Sequence, residues 1–376
     1  MSRLTVMQLL PALNSGGVER GTFEVAEALV KAGHRSLVVS AGGMLVPPLE
    51  AMGSQHFQLA IGRKSPTVIR TVNTLRDLMS RHRVDIVHAR SRLPAWIGLR
   101  ALKKVAAKPH FVTTLHGLNS VSRYSGVMTR GDRVIAVSES ARKYWLQHYP
   151  QLDPAKISLI YRGIDPEVFS YGFRPSDEKR QQFLAEMDIP ADRRLLMLPG
   201  RVTESKGFGS LVNLVARLSV QGPDCQGVIV GEFAEGSGYR ERLLQRIERL
   251  DMADRITFTG QRQDIRDVMA MADIVYSLSA KPESFGRTAA EALALGRPVI
   301  GYDHGGIGEV LATVFPQGRV QAGEEGDLLD KTRQFLDSTP VVPDKQPFLK
   351  SDMQEKTLAL YQSLGRCPGS TSAAAT

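Results

Sequence analysis

Short runs of β-branched and other apolar residues alternate along this chain with longer stretches whose apolar positions recur every three or four residues. In the first half the short runs fall at 5–9, 36–39, 86–88, 111–114, 134–137 and 157–160. Helical spacing fills the intervals near 20–32, 67–82, 94–106 and 139–149. The second half repeats the rhythm, with strand-like runs at 195–198, 227–230, 256–259, 274–278 and 298–301. Its helical stretches lie near 207–220, 238–250, 265–271 and 287–295. Strand, helix, strand in this order predicts parallel sheets covered on both faces, an α/β architecture of doubly wound type. In such sheets ligands bind beyond the carboxyl ends of the strands.

The segment "YRGIDPEVFSYGFRPSDE" (161–178) is rich in Gly, Pro and aromatics and fits neither period, so it reads as an interdomain linker. The expected division is a first domain over 1–168, a second over 169–350, a helix at 351–366 that crosses back to the first, and a disordered tail at 367–376. A length of 376 residues with 42% apolar content suits two domains.

The two cysteines, Cys225 and Cys367, exclude a disulfide framework and a cysteine zinc site and suit a reducing cytoplasm. The apolar start after Arg3 makes a poor signal peptide and a good first strand, and no run is long enough to span a bilayer.

Charge is divided unevenly. Residues 1–168 hold 23 Lys and Arg against 11 Asp and Glu, a balance of +12; the rest holds 25 against 28, or −3, within a total of +9. A basic half invites an anionic partner, either a phosphorylated substrate or an anionic membrane surface, or is simply a solvated face. The helix near 67–82 carries Arg70, Arg76 and Arg81 between apolar positions, with Arg63, Lys64 and Arg83 flanking. Its apolar stripe is expected to cover a sheet face, and its basic edge to remain for anionic head groups. Nucleic-acid binding would explain the charge alone but none of the chemistry below.

Candidate chemistry gathers in the second half. "LLMLPGRVTESKGF" is a strand followed by Gly200 and Arg201, with Lys206 and Gly207 opening a helix. Cations at a strand end beside a helix N-terminus suit a diphosphate. The spacing is not that of a P-loop, and no G-x-G-x-x-G follows the first strand. In "KPESFGRTAAEALALGRPVIGYDHGGIGEVL", Ser284, Phe285 and Gly286 lead into a short apolar helix that begins at Arg287 or Thr288. First-turn amides there suit phosphate oxygens. Glu291, a carboxylate among alanines and leucines, suits a ribose, or caps the helix through Ser284 or Thr288. Glu309 reads as a capping residue. His88 ends a strand and reads as structural or as lining the acceptor cleft; His304 precedes Gly305-Gly306 and reads as structural or as lying near the donor sugar. No HExxH, cysteine cluster or Asp-x-Asp occurs, so no metal ligand set is predicted.

Glu283 and Glu291 in E-x7-E spacing, with Gly200-Arg201, Lys206-Gly207, "ALGRPVI" and "GGIGE", resemble the retaining glycosyltransferases of family 4. In the first half "LNSGGVER", "TTLHG", "VIAVSES" and "GIDPEVF" resemble the same family. "DIVHARSRLPAW" and "KPESFGRT" are similar to a proteobacterial subgroup that builds lipopolysaccharide core.

The resemblance implies the GT-B fold, two Rossmann-like domains facing across a cleft, and transfer from a nucleotide-diphosphate sugar without a metal or other cofactor. It implies that Gly16 and Gly17 approach the donor phosphate, that Arg201 and Lys206 hold the diphosphate, and that Glu291 binds the ribose. Glu283 with the amides of Phe285 and Gly286 would hold the transferred sugar, His116 would meet it near the reacting carbon, and Arg262 would lie against the base. His88 and Arg90 are the candidates for the acceptor.

UDP-glucose is the favoured donor, with GDP-mannose and ADP-heptose as alternatives, and the acceptor is lipid-linked or a lipopolysaccharide core. A sugar-nucleotide epimerase or a phosphorylase shares the architecture. Two positions depart from the family pattern: Arg162 stands where Asn is common, and Arg287 where an apolar residue is usual.

Overall fold

A computed structural model describes residues 3–14, 16–63, 68–233, 236 and 238–365, and all but the side chain of Gln221 among them. The expected tail at 367–376, Lys64 and Cys367 lie outside the described residues. The chain forms two compact units, one reaching Gly163 and resuming at Lys350, the other Ile164–Leu349. The division falls five residues before the boundary that the sequence pattern places at 168/169, because Ile164 bridges to Leu349 and its N–H bonds the Phe348 carbonyl at 2.8 Å. The linker-like stretch is therefore ordered: Phe169 is buried, and Tyr171 donates its hydroxyl to the Val342 carbonyl at 2.7 Å.

Unit 1 holds strands β1 (Thr5–Leu9), β2 (Arg35–Ser40), β3 (Gln55–Gln58), β4 (Ile86–Ala89), β5 (His110–Leu115), β6 (Arg133–Ala136) and β7 (Ile157–Leu159). They pair in the order β3-β2-β1-β4-β5-β6-β7, parallel throughout. The order reverses between β1 and β4, the switch point at which such sheets open a crevice. Helices α1 (Gly17–Lys31), α2 (Val46–Ala51), α3 (Val68–Arg81), α4 (Arg92–Leu102) and α5 (Glu139–His148) cover the faces. In α3 the buried residues are Val72, Leu75 and Met79, so the apolar stripe covers the sheet as its period predicts, and Ile69 stays exposed.

Unit 2 holds helices α6 (Asp177–Glu186), α7 (Phe208–Gln221), α8 (Tyr239–Arg249), α9 (Ile265–Met271), α10 (Arg287–Ala294), α11 (Gly305–Val314) and α12 (Glu325–Asp337). Its strands are β8 (Arg194–Pro199), β9 (Cys225–Val230), β10 (Ile256–Gly260), β11 (Ile274–Ser277), β12 (Val299–Tyr302) and β13 (Arg319–Val320). The order β10-β9-β8-β11-β12-β13 repeats the reversal, here between β8 and β11. Both units are thus doubly wound, Rossmann-like sheets.

The last helix, α13 (Lys350–Leu364), belongs to unit 1. Its Met353, Leu360 and Tyr361 join Leu4, Val25, Leu29, Ile86 and Val112 in one core cluster. Gln354 Nε2 fastens it to α1 through the Glu24 carbonyl at 2.7 Å. Among the described residues no helix is long and apolar enough to cross a membrane.

Several elements escape the period argument for physical reasons. β3 reads QHFQ and lies at a sheet edge with its side chains partly or fully exposed, so it needs no apolar run. β13 has two residues. α11 begins Gly-Gly, which carries no helical signal, yet has six buried positions.

Candidate functional site

The carboxyl end of β8 runs into Gly200, whose φ of +142° is open to glycine. Arg201 follows, exposed, and then a 3-10 turn over Glu204–Lys206. Gly207 closes the turn at φ +82° and starts α7. A Cβ on Gly207 would lie 2.1 Å from the Leu278 carbonyl at the end of β11, so only glycine lets the turn pass. This close approach brings Lys206 to Glu283: Nζ and Oε1 are 2.5 Å apart, with side chains 34% and 24% exposed. Ser279 donates its hydroxyl to the same Oε1. The loop is tied again where the Ala280 N–H bonds the Ser205 carbonyl at 2.8 Å.

The Glu283–Phe285 segment is clamped from behind by Gly305 and Gly306. The Gly306 N–H bonds the Glu283 carbonyl at 2.7 Å, and a Cβ on Gly306 would lie 2.3 Å from Phe285 Cα. Phe285 is buried and its ring packs edge-on against Phe348 at 5.4 Å. The phenyl ring is thus packing, and only the Phe285 backbone is offered to a ligand. Gly286, at φ +86°, is the residue before α10, and the helix has no side-chain cap. First-turn N–H groups have no acceptor within a helix, and the positive end of the dipole points the same way. Ser284 and Thr288 are half-buried on either side.

α10 begins at Arg287, so Glu291 is its fifth residue, past the capping positions. Glu291 is 6% exposed. Its partner is not Ser284 or Thr288 but Arg287, whose Nε lies 2.9 Å from Oε1. That pair accounts for both oddities of the helix, the buried carboxylate and the unexpected arginine. Burying one without the other would leave an uncompensated charge.

Arg262 is already engaged. It bonds Asp264 at 2.7 and 2.8 Å and Glu186 at 2.8 Å, and its guanidinium lies over the Phe183 ring. The two carboxylates hold its proton above the ordinary arginine range. Expected to lie against the base, Arg262 anchors the loop after β10 to α6 with its charge already paired. His304 precedes α11 and bonds the Ser279 carbonyl at 2.8 Å, a structural tie to the loop that carries Glu283. Glu309 is the fifth residue of α11, so it is not a cap.

In unit 1, Gly16 precedes α1 and Gly17 is its first residue. A Cβ on Gly17 would meet no atom within 4 Å. His116 follows β5, half-buried. Burial, with Arg162 and Arg90 nearby, holds its imidazole well below its ordinary pKa, so it is neutral at pH 7. The two acceptor candidates are corrected. His88 is fully buried, with Nδ1 2.5 Å from the Tyr361 hydroxyl and Nε2 2.6 Å from Thr114 Oγ1. Arg90 is 4% exposed and donates through Nε to Gln8 Oε1 at 3.1 Å. Both are buried within unit 1.

The structure therefore joins Lys206, Glu283 and the start of α10 at one sheet end, with the Arg287–Glu291 pair on the same helix. Period and motif do not single out Ser279. Its position at the end of β11 is the signal that would have found it.

Comparison with known proteins follows the same division. Residues 15–168 match the family model described as Glycosyltransferase Family 4, and residues 179–345 the model described as Glycosyl transferases group 1. The chain is 26% identical to the N-acetyl-alpha-D-glucosaminyl L-malate synthase of Bacillus anthracis, over 87% of this chain and 85% of that one. It superposes on the crystal structure of a glycosyltransferase from Rickettsia africae with a TM-score of 0.84 and 29% identity, covering 97% of this chain and 99% of that one. An Anabaena protein solved in complex with UDP-glucose matches with a TM-score of 0.77 and 21% identity, over 96% and 98% of the two chains.

Proposed function

The chain belongs to the family 4 glycosyltransferases, hexosyltransferases of the GT-B fold, and from that premise we propose that it transfers glucose from UDP-glucose, with retention, to a lipid-linked or lipopolysaccharide-core acceptor. The observation that carries the donor site is the meeting of Lys206 with Glu283 beside the uncapped start of α10. Arg201, Lys206 and the amides from Gly286 to Thr288 take the diphosphate. Glu291, held by Arg287, takes the ribose. Glu283, Ser284 and the Phe285 and Gly286 amides take the sugar hydroxyls. Gly16, Gly17 and His116 keep the roles that the family resemblance implies.

Charge grows on the leaving β-phosphate in the transition state, and preorganised cations and amides stabilise it more than the ground state. The acceptor hydroxyl attacks from the leaving group's side and its proton passes to the departing phosphate. No metal or other cofactor has a step in this scheme. The excess of basic residues in the first half supports a phosphorylated or membrane-borne acceptor reached from the cytoplasmic face, with the basic edge of α3 toward anionic lipid.

A panel of UDP-, GDP- and ADP-sugars, assayed for release of nucleoside diphosphate with and without EDTA, tests the reading. Release from UDP-glucose, insensitive to EDTA, is expected. Release only from GDP- or ADP-sugars overturns the donor assignment and leaves the family untouched.

A further inference from the structure

Arg162 is one of the two departures from the family pattern, and unit 1 shows where its charge goes. The side chain is buried, 6% exposed, and a buried guanidinium is costly unless it is hydrogen-bonded and paired. Nη2 donates to the Gly17 carbonyl at 2.7 Å and lies 3.7 Å from Glu24 Oε2. Arg20, one turn back on the helix, reaches the other oxygen of Glu24 at 4.0 Å. Positions 17, 21 and 24 share one face of α1, and the guanidinium lies along it. Gly21 is what makes room. A Cβ there would fall 1.8 Å from Nη1 and 2.4 Å from Cζ of Arg162.

Helix stability does not explain this arrangement. A cation beside the first turn opposes the helix dipole, and glycine inside a helix is unfavourable. Both choices work against α1, and Glu24 offsets only the charge. What they secure is the carbonyl of the first helical residue, held from behind by an arginine. The place of a Gly17 side chain, by contrast, meets no protein atom.

We propose that Arg162 is a positioning residue that fixes the Gly16–Gly17 turn through the Gly17 carbonyl, and that Gly21 is glycine in order to admit its guanidinium. The catalytic part of the proposal rests on the reading that this turn serves the donor phosphate; the mechanical part does not.

The test uses the full chain with Arg162→Met, Arg162→Lys, Gly21→Ala and the double variant Gly21→Ala/Arg162→Met. Hydrogen exchange in a peptide spanning Gly16–Arg20 reads the turn without any substrate. Arg162→Met and Gly21→Ala should each speed exchange there by about tenfold while β9 is unchanged. Release of UDP from UDP-glucose should then lose about tenfold in kcat with donor KM nearly constant, because the turn is misplaced rather than the donor released. The double variant should be no worse than either single one, since each removes the same bond. Arg162→Lys, which keeps one donor within reach, should recover part of both signals.

Unchanged exchange in Arg162→Met, or effects of the two substitutions that multiply, would overturn the proposal. If exchange responds and UDP-glucose is inert even with the native chain, the donor reading fails while the mechanical assignment of Arg162 stands.

Discussion

Lys206 Nζ and Glu283 Oε1 lie 2.5 Å apart although 77 residues separate them in the chain. The two residues bind different parts of the donor in the proposed site, the diphosphate and the transferred sugar. Their pairing means that each also sets the other's position. Lys206→Ala should lower turnover by about 10²–10³, the scale of removing one preorganised donor from an oxyanion site. Glu283→Gln keeps the shape, removes the charge, and should release Lys206. The two effects should therefore be strongly non-additive in a double-mutant cycle. Steady-state release of UDP from UDP-glucose by the single and double variants is the measurement. Additive losses would mean that the pair does not act as one unit.

The Arg287–Glu291 pair makes a separate prediction about which part of the donor is read. Arg287 bonds one oxygen of Glu291 at 2.9 Å, and a carboxylate has acceptor capacity on both of its oxygens. Arg287→Met leaves Glu291 buried and uncompensated, a condition that favours protonation or a turned side chain. Donor KM should rise by about tenfold or more, equivalent to roughly 1.4 kcal/mol. Discrimination between UDP-glucose and its 2′-deoxyribose analogue should shrink in parallel. A large loss of kcat with discrimination intact would move Arg287 from the ribose to the phosphates.

Much of this was legible in the sequence, and the misses have a common cause. The start of α10 follows from Gly286 and the apolar period after it, and the turn at Gly207 from the Lys-Gly step. Glu291 is equally legible as an anomaly, but the capping pattern points to Ser284 or Thr288 rather than to Arg287, four residues back along the same face. His88 read ambiguously because its partner Tyr361 lies 273 residues away, and nothing local in "DIVHAR" announces it. The pairing of Arg262 is hidden for the same reason, since Glu186 sits on α6, 76 residues earlier. Periodicity reports which face is buried; it does not report which distant side chain arrives to pair there.

Depressed histidines set a pH dependence for unit 1, His88 and His116 the most strongly. Burial first, then Arg90 and His116, hold His88 well below its ordinary value, and His116 is lowered by burial, Arg162 and Arg90. The unfolded chain takes up these protons near pH 6.5 and the folded chain does not. Stability from both groups is thus fully present above about pH 6.5 and declines as the pH falls toward the folded values. Each contributes a slope of at most about 1.4 kcal/mol per pH unit. The carboxylate of Glu27, lowered in the fold, acts in a more acidic window, below its ordinary value of 4.5. Trp96 and Trp145, the two tryptophans of the chain, both lie in unit 1, so their fluorescence follows that unit. Urea midpoints should fall between pH 7 and pH 5, and His88→Asn should flatten the slope by one proton's share. The same slope in that variant would remove His88 from the account.

Tyr361 carries the last prediction, because it links the final helix to the centre of unit 1. Its ring has no exposed surface, and burial pushes its hydroxyl up to about 12. His88 Nδ1 lies 2.5 Å from the phenol oxygen and Nε2 lies 2.6 Å from Thr114 Oγ1, so the imidazole joins the two hydroxyls. A neutral imidazole completes the chain Tyr361, His88, Thr114, because each hydroxyl can donate or accept. Tyr361→Phe removes one link and leaves a buried ring nitrogen short of a partner, for a loss of about 1–3 kcal/mol. Tyr361→Ala adds a cavity under α13 and should lose about 3–5 kcal/mol. Tryptophan fluorescence in urea separates the two variants from each other and unit 1 from unit 2. A phenylalanine variant as stable as the native chain would show that the network orders unit 1 without stabilising it. The alanine variant would then measure packing alone.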